Sequence, residues 1–293
     1  MSSNQQEPQV VAPDFLVEFP FRLNSVLPEF EVAEDLHVRQ MNSEAKSRVL
    51  RIEDPQYTED GKLTKFTSLP GCLFSGDIGP DIDEIDEFCS SNYMLIAPSP
   101  ERAKEFNFAL KLVGPSASAL YIGFKTTTPA RYFIGPPCFF GRLALPVEER
   151  EAAELVTLVQ LIERARTDKK LQTMREIYMH ALTRDRRKES RFIELAIILE
   201  MLLLPSSSAE LSYRFSLRLA KFMEKLRGES ISDVFKLARR IYTTRSRLVH
   251  AGADNDLDDI APVAYDYVRI LLAAYLHDRQ QFQEERLDEL CLS

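Results

Sequence analysis

The chain has 293 residues, of which 45% are hydrophobic and 28% charged, a balance that can bury a core and excludes collagen-like, wholly disordered and disulfide-stapled classes. Cys72, Cys89, Cys138 and Cys291 form no CxxC pair and no metal-ligand spacing, which predicts reduced thiols. Residues 1–150 hold 14 Lys and Arg against 22 Asp and Glu, which accounts for the whole net charge of −8, whereas residues 151–293 hold 23 of each.

In chain order, the N-terminus MSSNQQEPQ has neither a basic n-region nor an apolar h-region, which predicts a cytoplasmic protein. The first half reads as strands and turns. Pro70-Gly71, Gly79-Pro80, Gly114-Pro115 and Gly135-Pro136-Pro137 punctuate it, because such pairs interrupt helices. Between them the β-prone stretches Phe15–Leu23, Arg48–Ile52, Tyr93–Ile96, Ala119–Phe124 and Tyr132–Ile134 predict a small β-rich domain over 1–146. Acidic Asp77–Glu87 is expected as a loop or short helix.

After Pro146 the grammar changes. Only Pro205 and Pro262 interrupt residues 147–293, and Glu, Ala, Leu and Arg favour helix throughout. Helices are expected over about 148–166, 170–183, 188–204, 208–227, 231–250 and 257–286, a second, all-α domain over 147–293. Glu148, Glu149 and Glu151 suit a first helical turn. Ser208 is a candidate cap for the fourth helix, Ser230 or Ser232 for the fifth, and Gly228 and Gly252 suit helix ends. The fold class is therefore α+β. The most apolar run, Phe192–Leu204, is interrupted by Glu194 and Glu200 and is too short for a bilayer span.

The fifth helix carries the most informative pattern. Ile231, Val234, Phe235, Ala238, Ile241, Tyr242, Leu248 and Val249 form an apolar stripe at helical spacing, and Arg245 occupies the position where the next apolar residue falls. A guanidinium cannot shed its charge, so Arg245 must meet a carboxylate, line a wet cleft or sit at an interface. Glu194 and Glu200 on the apolar third helix are the candidate carboxylates, and a purely structural Glu–Arg pair between the third and fifth helices accounts for them without function. His250 follows five residues later, about 140° round the helix. The two can converge on one anion only where the last turn loosens. Imidazole exchanges a proton near neutral pH and guanidinium holds phosphate bidentately, the groups that metal-free phosphodiester cleavage needs.

Tyr242–Gly252, read as YTTRSRLVHAG, together with Arg191–Leu202 and Glu210–Ala220 in that order, resembles the HEPN domains, specifically their ApeA-like group. The resemblance covers about residues 165–280. It departs from the family where Ala251 separates His250 from Gly252. It implies an all-helical domain that pairs through its motif helix as a homodimer, with Arg245 and His250 as catalytic residues of a metal-independent endoribonuclease. Such domains serve bacterial antiviral defence, abortive infection or toxin–antitoxin stress responses. It further implies that Ser246 orients RNA or Arg245, and that Glu194 and Glu200 hold Arg245 or neighbouring helices. Arg214 and Arg218, one turn apart, are expected to pair with Glu200 or to touch RNA. Arg247 and the basic cluster Arg186, Arg187 and Lys188 are candidate RNA contacts, although a solvated loop is the default reading of that cluster. His37, His180 and His277 have no ligand spacing, and Asp254–Asp259 lacks the glycine and terminal glutamate of a calcium loop. No metal or cofactor is expected. RNA, a second copy and an antitoxin or sensor protein are the expected partners, and no membrane. A non-catalytic HEPN module binding RNA, nucleotide or protein, and a dimerisation platform for the first half, are the alternatives.

Overall fold

The computed structural model describes residues 17–21, 29–41, 52–57, 63–68, 93–114, 122–125, 131–133, 149–182, 187–206, 210–252 and 257–292. The strands are β1 (Val17–Phe21), β2 (Phe30–Ala33), β3 (Leu36–Gln40), β4 (Ile52–Tyr57), β5 (Leu63–Ser68), β6 (Tyr93–Ala97), β7 (Ile122–Lys125) and β8 (Arg131–Phe133). Six of them make one antiparallel sheet in the order β2-β3-β6-β1-β7-β8, and β4 and β5 pair as a separate hairpin. Pro20 lies in β1 opposite Met94, but β7 pairs with β1 only at Val17 and Glu18. Among the described residues, Pro20, which lacks an N–H, therefore falls where β1 has a single neighbour.

The described part is mostly helical, in an α+β layout. Its helices are α1 (Pro100–Val113), α2 (Glu149–Arg164), α3 (Lys169–Ala181), α4 (Lys188–Leu203), α5 (Leu211–Arg227), α6 (Ile231–Ala251), α7 (Leu257–His277) and α8 (Glu284–Leu292), with a 3₁₀ turn at Arg279–Phe282. Helices two to six follow the sequence expectation to within a few residues. The sixth expected helix, 257–286, is two: Asp278 caps the 3₁₀ turn by accepting from the Gln280 N–H, and the chain bends before α8. Ser230 caps α6, as expected, whereas α5 starts at Glu210 in the left-handed region without a side-chain cap. Ser208 lies outside the described residues, as do Asp77–Glu87 and the turns at 70–71, 79–80 and 135–137.

The β reading of the first half omits α1. Ser99 accepts from the Arg102 N–H and Pro100 opens the first turn, a start signal written in the sequence. Residues 102, 103 and 105–112 are all buried, because α1 is sandwiched between β6 on one side and α2 and α7 on the other. Buried side chains of β2, β3, β6, α1 and the later helices form one contiguous core. The change of grammar near residue 146 is thus a change of secondary structure, and the hydrophobic core runs across it.

A charged junction locks this sandwich. Arg102, buried on α1, donates to Asp35 in the β2–β3 turn (2.9 Å), to Glu105 (2.6 Å) and to Glu163 of α2 (2.9 Å), and Arg166 donates to Glu105 (2.7 Å). The Arg102 hydrogen bond holds Asp35 below its ordinary value of 3.8. Burial pushes Glu105 up, but hydrogen bonds from Arg166 and Arg102 outweigh it and hold the carboxyl below 4.5. Both groups are lower in the fold than in the unfolded chain, so the stability they give is present above about pH 4.5 and lost as pH falls through the folded values. We expect Arg102→Gln to destabilise the protein by about 2 kcal/mol at pH 7. Thermal melts of both proteins should draw together below pH 4, and a difference that does not depend on pH would contradict this.

Candidate functional site

α6 stands between α5 and α4. Val234, Ala238, Ile241, Thr244 and Leu248 face the core, and Arg245 falls within the same stripe, its long side chain 32% exposed. α4 runs beside it and brings Glu200, 25% exposed, into contact. Arg245 Nη2 donates to Glu200 Oε2 at 3.3 Å, and Nε lies 3.3 Å from Oε1. Among the described residues Nε, itself out of water, has no hydrogen-bond acceptor. Arg245 therefore met a carboxylate, and the carboxylate is Glu200.

Burial pushes the Glu200 carboxyl above its ordinary value, and the charge of Arg245 opposes this without overcoming it. A carboxyl raised in the fold contributes most below its unfolded value and loses that contribution as pH rises. Arg245→Ala removes the opposing charge, so its cost should be greatest at neutral pH and vanish below about pH 4. With both groups partly in water, the cost is about 1 kcal/mol. Glu200→Gln in the alanine background should recover most of it in a thermal melt, and an unchanged melt at pH 7 would refute the pairing's role.

His250 is exposed in the last turn, as is Arg247, and Ser246 is half-buried. The helix does not loosen there. It continues to Ala251, and Gly252 closes it in the left-handed region with its N–H on the Leu248 carbonyl. Five residues on an unbroken helix separate two side chains by about 140° and 7.5 Å of rise. Within one chain, Arg245 and His250 diverge, contrary to the convergence a loosened turn would allow.

The other expected site residues go elsewhere. Glu194 leaves the Arg245 side of α4: its Oε1 lies 2.9 Å from His180 Nδ1 on α3. Arg214 and Arg218 do not pair with Glu200. Arg214 donates to Glu284 (3.0 Å), and Arg218, fully buried, donates to Glu284 (2.6 Å), Asp288 (2.6 Å) and the Leu203 carbonyl (2.7 Å). The cause is α8, which packs on α5 and sets its acidic face against both arginines. Arg186 lies outside the described residues. Arg187 stands at the N-cap position of α4 without a side-chain capping bond and Lys188 pairs with Asp258 at 2.7 Å, at the opposite end of α4 from Glu200, about 18 Å away at 1.5 Å per residue. His277 pairs with Glu154 at 3.0 Å. Among the described residues no three His, Cys, Asp or Glu side chains are grouped to hold a metal, and no helix is long and apolar enough to cross a membrane.

On the solvent side of α6 the sequence singled out Arg247 and His250 but not Lys236, Arg239 and Arg240, which are exposed there too, with Asp233 as the acidic member. The signal was present: once the apolar stripe is removed, Lys236, Arg239, Arg240, Arg247 and His250 are left at helical spacing on the other side. Compared with protein-family models, characterised proteins and solved structures, the chain matches none.

Proposed function

We propose that this chain is a metal-independent endoribonuclease of HEPN type, acting in the cytoplasm in antiviral defence or a toxin–antitoxin stress response. The observation that carries the reading is one helix, α6, that holds a guanidinium half-exposed against Glu200 and ends in an exposed imidazole. In this mechanism His250 takes the proton of a ribose 2′-hydroxyl, whose oxygen attacks the adjacent phosphorus. Arg245 neutralises the charge gathered on the pentavalent phosphorus. The P–O5′ bond breaks and the departing oxygen takes up a proton from the His250 imidazolium or from water, leaving a 2′,3′-cyclic phosphate and a 5′-hydroxyl. Because the two groups point apart on one helix, the working set combines Arg245 of one copy with His250 of another across a homodimer. Ser246, between them in sequence and half-buried, orients Arg245 or the RNA. The β-rich half senses a trigger, restrains the nuclease or recruits a target.

Two observations favour other readings. The divergence within one chain fits a non-catalytic module that binds RNA, nucleotide or protein. The Glu200–Arg245 pair fits a dimerisation platform for the first half. One assay separates the three. Full-length protein with a structured RNA in excess EDTA should yield 2′,3′-cyclic phosphate ends. RNA binding without cleavage supports the module, and neither binding nor cleavage supports the platform. Cleavage that requires a divalent metal, or leaves 3′-hydroxyl ends, contradicts the mechanism.

A further inference from the structure

Viewed down its axis at 100° per residue, α6 gathers Lys236, Arg239, Arg240, Thr243, Arg247 and His250 into one arc of about 100°. All six are exposed. Arg245 lies about 170° from the middle of this arc, on the opposite side of the helix. The row from 236 to 250 runs about 21 Å along the helix at 1.5 Å per residue, with a cationic or polar side chain at every turn. Asp233, at the N-terminal end, sits 3.7 Å from Lys236, and both are exposed, so the pair neutralises little.

We propose that this row is a phosphate-binding track that leads a single RNA strand along α6 to His250. The nature of the occupant follows from what the arc contains and lacks. It carries charge at each turn but no aromatic or large apolar side chain: Val249, 50% exposed, falls about 100° away from His250. A folded protein partner needs an apolar centre of contact, and a lipid surface needs apolar side chains to insert. A phosphodiester strand needs only closely spaced cations, and without aromatic stacking its recognition is indifferent to base. The inference rests on the nuclease reading only for what happens once the strand reaches His250. The track itself stands on exposure and charge.

The test uses the full chain and a fluorescent 30-nucleotide RNA of mixed sequence with 2′-O-methyl riboses, which cannot be cleaved, followed by anisotropy over a range of salt. The variant Lys236→Gln/Arg239→Gln/Arg240→Gln changes only exposed side chains and should melt as the wild type does. It should bind at least about tenfold more weakly at 0.1 M salt. Its plot of log affinity against log salt should be shallower by about 2, three contacts at about 0.7 each, and each single substitution should give about a third of that change. A second RNA with the sequence scrambled should bind the wild type within about twofold. Unchanged affinity and slope in the triple variant overturn the track. So does binding of phosphatidylserine vesicles or polyglutamate, but not RNA, that the triple variant loses. The two readings fail separately. Cleavage of ordinary RNA by a triple variant that binds normally removes the track and leaves the nuclease. Weakened binding in the triple variant, with no cleavage by the wild type, does the reverse.

Discussion

His250→Ala is expected to lower metal-free RNA cleavage by about 10²- to 10⁴-fold, the range of a lost general base, with no change in the melting curve. The separation of the two readouts follows from position. His250 is exposed at the helix end, and Gly252 closes α6 through its own backbone without using the imidazole. Truncating an exposed side chain changes stability by only about 0.5 kcal/mol or less. Arg245→Ala should cost about 10²- to 10³-fold as a lost charge stabiliser, together with the small pH-dependent loss of stability argued above. Arg245→Lys keeps the charge but not the planar fork that grips both Glu200 and a phosphate, so it should recover little activity. Groups that act as a unit are not additive, and the double alanine variant should be no slower than the slower single one. Wild-type rates in His250→Ala would remove that residue from the chemistry.

The largest stability effect should come from Arg218→Ala. Arg218 is 0% exposed and binds Glu284, Asp288 and the Leu203 carbonyl at once. Burial opposes its charge, but the two carboxylates outweigh it and raise its pKa. Removing the guanidinium takes a donor from the Leu203 carbonyl and the cation 2.6 Å from Glu284 out of a half-dry site. We expect a loss of about 3 kcal/mol, at the low end for a broken buried pair because Asp288 still reaches water. The melting point should fall by roughly 5–8 °C for a chain of this size. Buried Leu287 and the stack of Phe282 on Phe222, centroids 4.8 Å apart, also hold α8 and the turn before it. Limited proteolysis should therefore cut first between residues 279 and 292. A melt within a degree of the wild type would show that α8 is not fastened through Arg218.

What the sequence disclosed and what it hid differ in range. The boundaries of α2 to α6 follow from local signals: Ser230 as a cap, Gly228 and Gly252 as left-handed ends, and the apolar period of α6. The anomaly at Arg245 was legible for the same reason, since a charge in a stripe is visible without coordinates, and so was the demand for a carboxylate partner. Whether Glu194 or Glu200 would answer was not legible, because the choice depends on how α4 rotates against α3 and α6. Arg214 and Arg218 were assigned the wrong partner for a non-local reason: Glu284 and Asp288 lie 66–70 residues away, brought in by the bend at Asp278. α1 was missed although Ser99-Pro100-Glu101 announces it, because strand-like neighbours and frequent Gly and Pro outweighed one cap. A helix buried nearly all round has no polar face to reveal its period.

The central claim is that Arg245 and His250 work together only when drawn from different copies. Co-refolding equal amounts of the Arg245→Ala and His250→Ala proteins tests it directly. If the set is shared between copies, half of the pairs are mixed and each mixed pair keeps one complete set, so about a quarter of wild-type activity should return from two inactive proteins. Mixed pairs that form, as shown by two different affinity tags captured together, and yet cleave no RNA would contradict the account.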